Sequence, residues 1–202
     1  MGAREEILQA ADSLFGELGF DAASTREIAQ RSGVNKALIH YHFGSKEALF
    51  EHVLDRYYER LNQVLSKALE GQGTVRQRIT TLVDAYIDFL SQNRNFSKIV
   101  QRESSGGRHI ERIRAHLLPM FQNGVELIQA SFPAARSGHL TAHHLLVSLY
   151  GMIVSYFTYS PVLEHLMGQD PLSRRNLGER KKHIHTMINL ILDRIEAQDR
   201  GS

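Results

Sequence analysis

Apolar residues recur at helical spacing from one end of this chain to the other. Between residues 4 and 18, Ile7, Leu8, Ala11, Leu14, Phe15 and Leu18 fall at i, i+3/i+4, i+7 on one face of a first helix, and Gly19 follows as its stop. Ser24 and Glu27 have the spacing of a reciprocal N-terminal cap, which predicts a second helix from there to about Ser32, ended by Gly33. Asn35 caps a third, Lys36 to Phe43; Gly44 closes it, and Ser45 caps a fourth that runs from Lys46 to about Leu69. Thr74 and Gln77 repeat the cap before a fifth helix through Ile79, Val83, Ile87 and Leu90. A short sixth is predicted over Phe96 to about Glu103, ended by Ser104-Ser105-Gly106-Gly107. A seventh covers about 108–131, where Pro119 should kink or interrupt it by removing a backbone donor. The eighth, about 140–158, is apolar almost all round, and a final helix covers about 173–197. Ser160-Pro161 and Asp170-Pro171 both read as cap-then-proline starts. No period-2 run is long enough to compete, so the expected fold is all-α with about nine helices.

The helices at about 26–32 and 36–43 are joined by a short corner containing Gly33, the spacing of a helix-turn-helix. That places a domain boundary near residue 48. A three-helix head occupies 1–48, and a larger helical domain occupies 49–200. The ends, Met1–Gly2 and Gly201–Ser202, are given no role.

Composition narrows the function classes without naming one. The 202 residues are 42% hydrophobic and 23% charged, an ordinary folded composition. Cysteine is absent, which excludes disulfides, thiolate metal sites and thiol nucleophiles and suits a cytoplasmic chain. No stretch reaches the length of a membrane span, and no basic-then-apolar leader precedes the first helix, so no membrane partner is expected. A net charge of +2 says little about partners. Its distribution says more. Residues 1–50 hold five Lys/Arg against seven Asp/Glu, yet residues 28–46 carry Arg31, Lys36 and Lys46, with His40 and His42 and no acid. Such a patch on an otherwise acidic head suits a protein that touches nucleic acid with one element.

The stretch from Ile7 to Val53 resembles the N-terminal domain of the TetR family of transcriptional regulators. The matching residues are Ile7-Leu8 with Ala10-Ala11 and Leu14-Phe15, Gly19-Phe20 with Ser24-Thr25, and Ile28-Ala29 with Ser32-Gly33-Val34. His40-Tyr41-His42-Phe43 followed by Lys46-Glu47-Ala48-Leu49 completes the set. The resemblance implies a homodimeric, ligand-responsive repressor whose third helix enters the major groove of a palindromic duplex operator. Carried over residue by residue, the DNA-facing positions fall on Thr25, Arg26, Lys36, Ala37, Leu38, His40, Tyr41, His42 and Lys46. Thr25 and Lys46 stand at helix N-termini, where free amides favour a phosphate. Tyr41 and Phe43 also admit a plain packing role under the first helix. His40 and Leu38 depart from the tyrosine and the small residue or threonine that the family often places there, so no operator sequence is transferred.

The family places its effector among the fifth to eighth helices. There Tyr86, Phe89, Phe121, Tyr150, Tyr156 and Phe157 form either the wall of a mostly apolar cavity or an aromatic core without one. Phe96, Arg102 and His109 stand at its rim or, for the last two, in surface ion pairs. The expected effector is small, mainly apolar and unidentified. Val147, Met152 and Val154 on the eighth helix, with Ile184, Met187, Ile188, Ile191 and Ile195 on the last, are more apolar surface than one domain needs and form the expected dimer interface. His139, His143, His144, His183 and His185 lack partners at metal-ligand spacing, so no metal, no cofactor and no enzyme activity are expected. The other reading is a helical small-molecule-binding protein or cryptic enzyme that shares only the three-helix head.

Overall fold

In the computed structural model, which describes residues 2–104 and 107–200, the stripe predicted between residues 4 and 18 forms α1 (Ala3–Leu18), with Ile7, Leu8, Ala11, Leu14 and Phe15 buried. Leu18, at the end of that stripe, is exposed instead. Gly16 is on the buried face for a steric reason: a Cβ there would lie 2.7 Å from the side chain of Asn95. α2 (Thr25–Ser32) begins at the complete reciprocal cap of Ser24 and Glu27 and ends at Gly33. α3 (Lys36–Phe43) starts where the Asn35 side chain accepts from the Ala37 amide at 2.9 Å. α4 (Lys46–Leu69) starts with Ser45 Oγ accepting from the Ala48 amide. Then follow α5 (Val75–Gln92), α6 (Arg94–Ser104), α7 (Ile110–Ser131), a 3-10 turn (Pro133–Arg136), α8 (Ala142–Thr158), α9 (Ser160–Met167) and α10 (Arg174–Asp199). Among the described residues every regular element is helical.

Two details differ. Among the described residues there are ten α-helices where about nine are expected, because α9 fills the stretch after Ser160-Pro161. α7 runs through Pro119 without interruption. α6 ends at Ser104, close to its expected end; of the residues predicted to stop it, Ser105 and Gly106 lie outside the described residues, as do Met1 and Gly201–Ser202. No single described helix is long and apolar enough to cross a membrane; α8 and α9 would reach that length only together, and they are bent by 73°.

Packing groups the chain into two compact units, Met1–Leu61 with Asn93–Arg114, and Asn62–Gln92 with Ala115–Ser202. The first unit therefore takes in α6, well beyond a cut at residue 48. In it α1 packs on α2, α3 and α6 around Phe15, Ile28, Leu49, Phe50, Leu54, Tyr58 and Ile99. In the second, α10 lies against α5 and the 3-10 turn. Its core includes Val83, Ile87, Ile153, Ile184, Leu192 and Ile195. Polar ties reinforce that contact: Arg76 reaches Asn189 and Glu196, and His185 Nε2 lies 2.8 Å from Asp84. Ile184, Ile188 and Ile195, assigned above to a dimer interface, are at 0%, 3% and 0% exposure spent on this unit's own core. Helical periodicity cannot separate the two uses of an apolar face. Val147 alone of that set is largely exposed, Met152, Val154, Met187 and Ile191 being half-buried.

Candidate nucleic-acid interface and apolar cavity

α3 is anchored from within by Ile39 and Phe43, both buried, and its opposite side presents Lys36, Ala37, Leu38, His40 and Tyr41 to solvent. Tyr41 is 80% exposed, an unusual position for a large aromatic ring on so short a helix. His42 is half-buried, its ring packing between Tyr41 and Phe43. Arg26 is exposed and Thr25 half-buried in the first turn of α2. Eight of the nine sequence-predicted DNA residues, Thr25 and Arg26 with six from α3, are thus exposed or partly exposed side chains on two short helices.

The basic patch is smaller than its residue count. Arg31 pairs with Glu17 at 2.7 Å, and the guanidinium holds that carboxyl below the usual carboxylate range. Lys46 turns inward. Its ammonium donates to the carbonyls of Phe20 (2.9 Å), Ala23 (3.1 Å) and Asp21 (3.4 Å) and lies 4.3 Å from the centre of the Phe20 ring. These are main-chain oxygens of the corner between α1 and α2, which leaves Lys46 a positioning role. Lys36 and Arg26 remain as the exposed cations of the face.

Arg102 does for α1 what Lys46 does for the corner. Its guanidinium donates to the carbonyls of Phe15, Gly16 and Glu17 at 3.2–3.3 Å, in the last turn of α1, where helical partners run out; the Phe15 carbonyl also accepts from the Gly19 amide. His109 is buried between Phe20 and Phe50, each ring centre 4.4 Å away. Glu103 Oε2 accepts from the His109 amide at 3.1 Å and lies 3.0 Å from its Nδ1. Phe96 packs on Tyr57 and Tyr58. These three sequence-predicted effector residues all lie in the first unit, holding its head.

A cavity of about 180 Å³ opens in the second unit. Four elements wall it: the last turns of α4 (Leu65, Leu69), α5 (Ile79, Leu82, Tyr86), α7 (Met120, Phe121, Leu127) and α8 (Leu146, Leu149, Tyr150, Ile153). Of the predicted aromatics, Tyr86, Phe121 and Tyr150 meet there, with Phe121 edge-on to Tyr150 at 5.2 Å. Phe89 and Phe157 are buried but do not line it. Tyr156 points elsewhere, its hydroxyl donating to the Pro171 carbonyl at 3.0 Å with Arg180 stacked on its ring. The aliphatic walls of α4, α7 and α8 carry no sequence mark that separates them from core, beyond the all-round apolar character of α8. On the outside of this unit Val147, Val162, Leu166 and Leu190 are exposed, and α9 buries none of its residues. Among the described residues no three His, Asp or Glu side chains are placed to hold a metal ion.

Residues 7–53 match the model for bacterial regulatory proteins of the tetR family. The HTH-type transcriptional activator FasR of Mycolicibacterium smegmatis is 37% identical over 90 residues, which is 45% of this chain and 41% of FasR. The HTH-type transcriptional repressor KstR2 of Rhodococcus jostii is 30% identical over 88 residues, 42% of this chain and 43% of KstR2. The chain thus matches less than half the length of these curated relatives. The solved structure of the fatty acid degradation regulator FadR from Bacillus halodurans superposes with a TM-score of 0.73 at 16% identity, over 93% of this chain and 95% of FadR, a likeness of fold.

Proposed function

We propose that the chain, whose residues 7–53 match the model for bacterial regulatory proteins of the tetR family, is a sequence-specific transcriptional regulator, a homodimer released from a palindromic operator by a small, mainly apolar effector. The exposed face of α3, held from behind by Ile39 and Phe43, carries this reading. Docked in a major groove, Lys36 reaches a phosphate or a guanine edge, the Tyr41 hydroxyl donates to the backbone, and Leu38 meets a thymine methyl. His40 and His42 lie one turn on, where an imidazole N–H can donate to phosphate. Ala37 lets the helix approach closely, and Thr25 and Arg26 meet phosphate at the start of α2.

Two copies are needed because one eight-residue helix reads only half a site. The exposed apolar side chains of α8 and α10 and the surface of α9 support association through a two-fold bundle, which would set the two α3 helices about 34–36 Å apart. Release follows if the effector prefers the non-binding arrangement by a few kcal/mol. α4 supports such a route, since its last turns line the cavity and its first residue, Lys46, ties the α1–α2 corner.

Anisotropy titration with duplex DNA flanking the protein's own gene tests the docking. Lys36→Ala should weaken binding and lower the salt slope by about one unit; an unchanged affinity and slope would overturn it. Light scattering at micromolar concentration should give twice the chain mass, and a monomer would remove the homodimer from the proposal.

A further inference from the structure

The cavity's wall contains no Lys, Arg, His, Asp or Glu. Its polar groups are the amides of Asn62 and Asn123, the Ser66 hydroxyl, and the phenols of Tyr86 and Tyr150. The two tyrosine rings are near-parallel, 20° apart with centres 6.3 Å from each other, and their hydroxyls share a hydrogen bond. Burial pushes the Tyr150 phenol above its ordinary value, so it stays a neutral donor at physiological pH. A carboxylate or phosphate seated against the phenol pair would lose part of its water and meet no cation, which disfavours it there. An ammonium would meet no carboxylate. A single hydroxyl or carbonyl oxygen, by contrast, finds a donor in the phenol pair while its hydrocarbon skeleton lies against leucine, isoleucine and phenylalanine.

Resting on the reading of this cavity as the effector site, we propose that it takes an uncharged aliphatic molecule bearing one alcohol, ketone or ester oxygen. The Tyr86–Tyr150 pair would hold that oxygen, and the carboxylate of the same skeleton would be rejected. The discrimination is built from what the wall leaves out as much as from what it offers.

Calorimetric titration of the full chain at pH 7.5 with octan-1-ol, octan-2-one, octanoate and the headless oct-1-ene tests this directly. The alcohol and ketone should bind, with octanoate at least about tenfold weaker. Tyr150→Phe, which keeps the ring, should weaken the alcohol and ketone by about five- to tenfold and leave oct-1-ene unchanged; Tyr86→Phe should act in the same direction. Octanoate binding as tightly as the alcohol would overturn the proposed head-group class while the cavity remained an effector site. An alcohol insensitive to both tyrosine variants would overturn the role of the hydroxyl pair. Failure of all four probes to bind would overturn the proposal together with the reading of the cavity on which it rests.

Discussion

The corner between α1 and α2 and the cavity in the second unit use polar side chains in opposite ways. At the corner, charged groups are aimed at main-chain oxygens: Lys46 takes the carbonyls of residues 20, 21 and 23, and Arg102 those of residues 15, 16 and 17. Glu103 meets the Nδ1 of His109 behind Phe20. Among the described residues no Lys, Arg, His, Asp or Glu lines the cavity, and space is left between side chains. A helix that must fit a groove repeatedly needs its backbone held, and charge-assisted hydrogen bonds to carbonyls hold backbone. A chamber that must admit an uncharged molecule gains nothing from fixed charges.

The two regions should respond with opposite sign to the same substitution. In Gly16→Ala, the new Cβ would sit 2.7 Å from Asn95, whose amide is tied to Asp12 at 3.0 Å and cannot easily yield. Overpacking of that kind should cost about 1–3 kcal/mol in urea unfolding; a neutral result would mean the α1–α6 contact is loose. Lys46→Met keeps most of the apolar length but removes the ammonium with its hydrogen bonds and its contact with the Phe20 ring, and should cost about 1–2 kcal/mol. DNA affinity should then fall while the salt slope stays constant. A slope lowered by about one at unchanged stability would make Lys46 a phosphate contact instead. Gly124→Ala has the smallest effect and the other sign. Its Cβ would lie 3.1 Å from Leu146 Cδ1, a flexible tip on the cavity wall that can swing into free space. The gain in helix propensity should stabilise the chain by up to about 1 kcal/mol and reduce octan-1-ol binding. Destabilisation there would show the cavity wall to be as rigid as the corner.

The helices were legible because capping and periodicity are local. Ser24 with Glu27, Asn35, and Thr74 with Gln77 cap helices where their spacing predicts. The start of α9 is legible in Ser160-Pro161, but its extent is not, because Ser160–Met167 is eight residues with no buried stripe. The site was legible in part. The exposed face of α3 and the meeting of Tyr86, Phe121 and Tyr150 follow from expected helices. The inward turn of Lys46, the grip of Arg102 on α1 and the burial of His109 do not. Each joins residues far apart in the chain, and a long basic side chain has the same signature whether it meets a phosphate or a carbonyl. The isoleucines of α10 carried the same ambiguity, between a partner and the unit's own core.

The exposure of Tyr41 has a practical side. The chain has seven tyrosines and no tryptophan. Tyr41 on α3 and Tyr159 between α8 and α9 are exposed, and the other five are buried or half-buried. A mild phenol-nitrating reagent would therefore mark these two rings first, one in each unit. Occupancy of α3 by a duplex and coverage of the α8–α9 surface by a second copy would then appear as two separate peptide masses from one digest, with no label added to the protein beforehand.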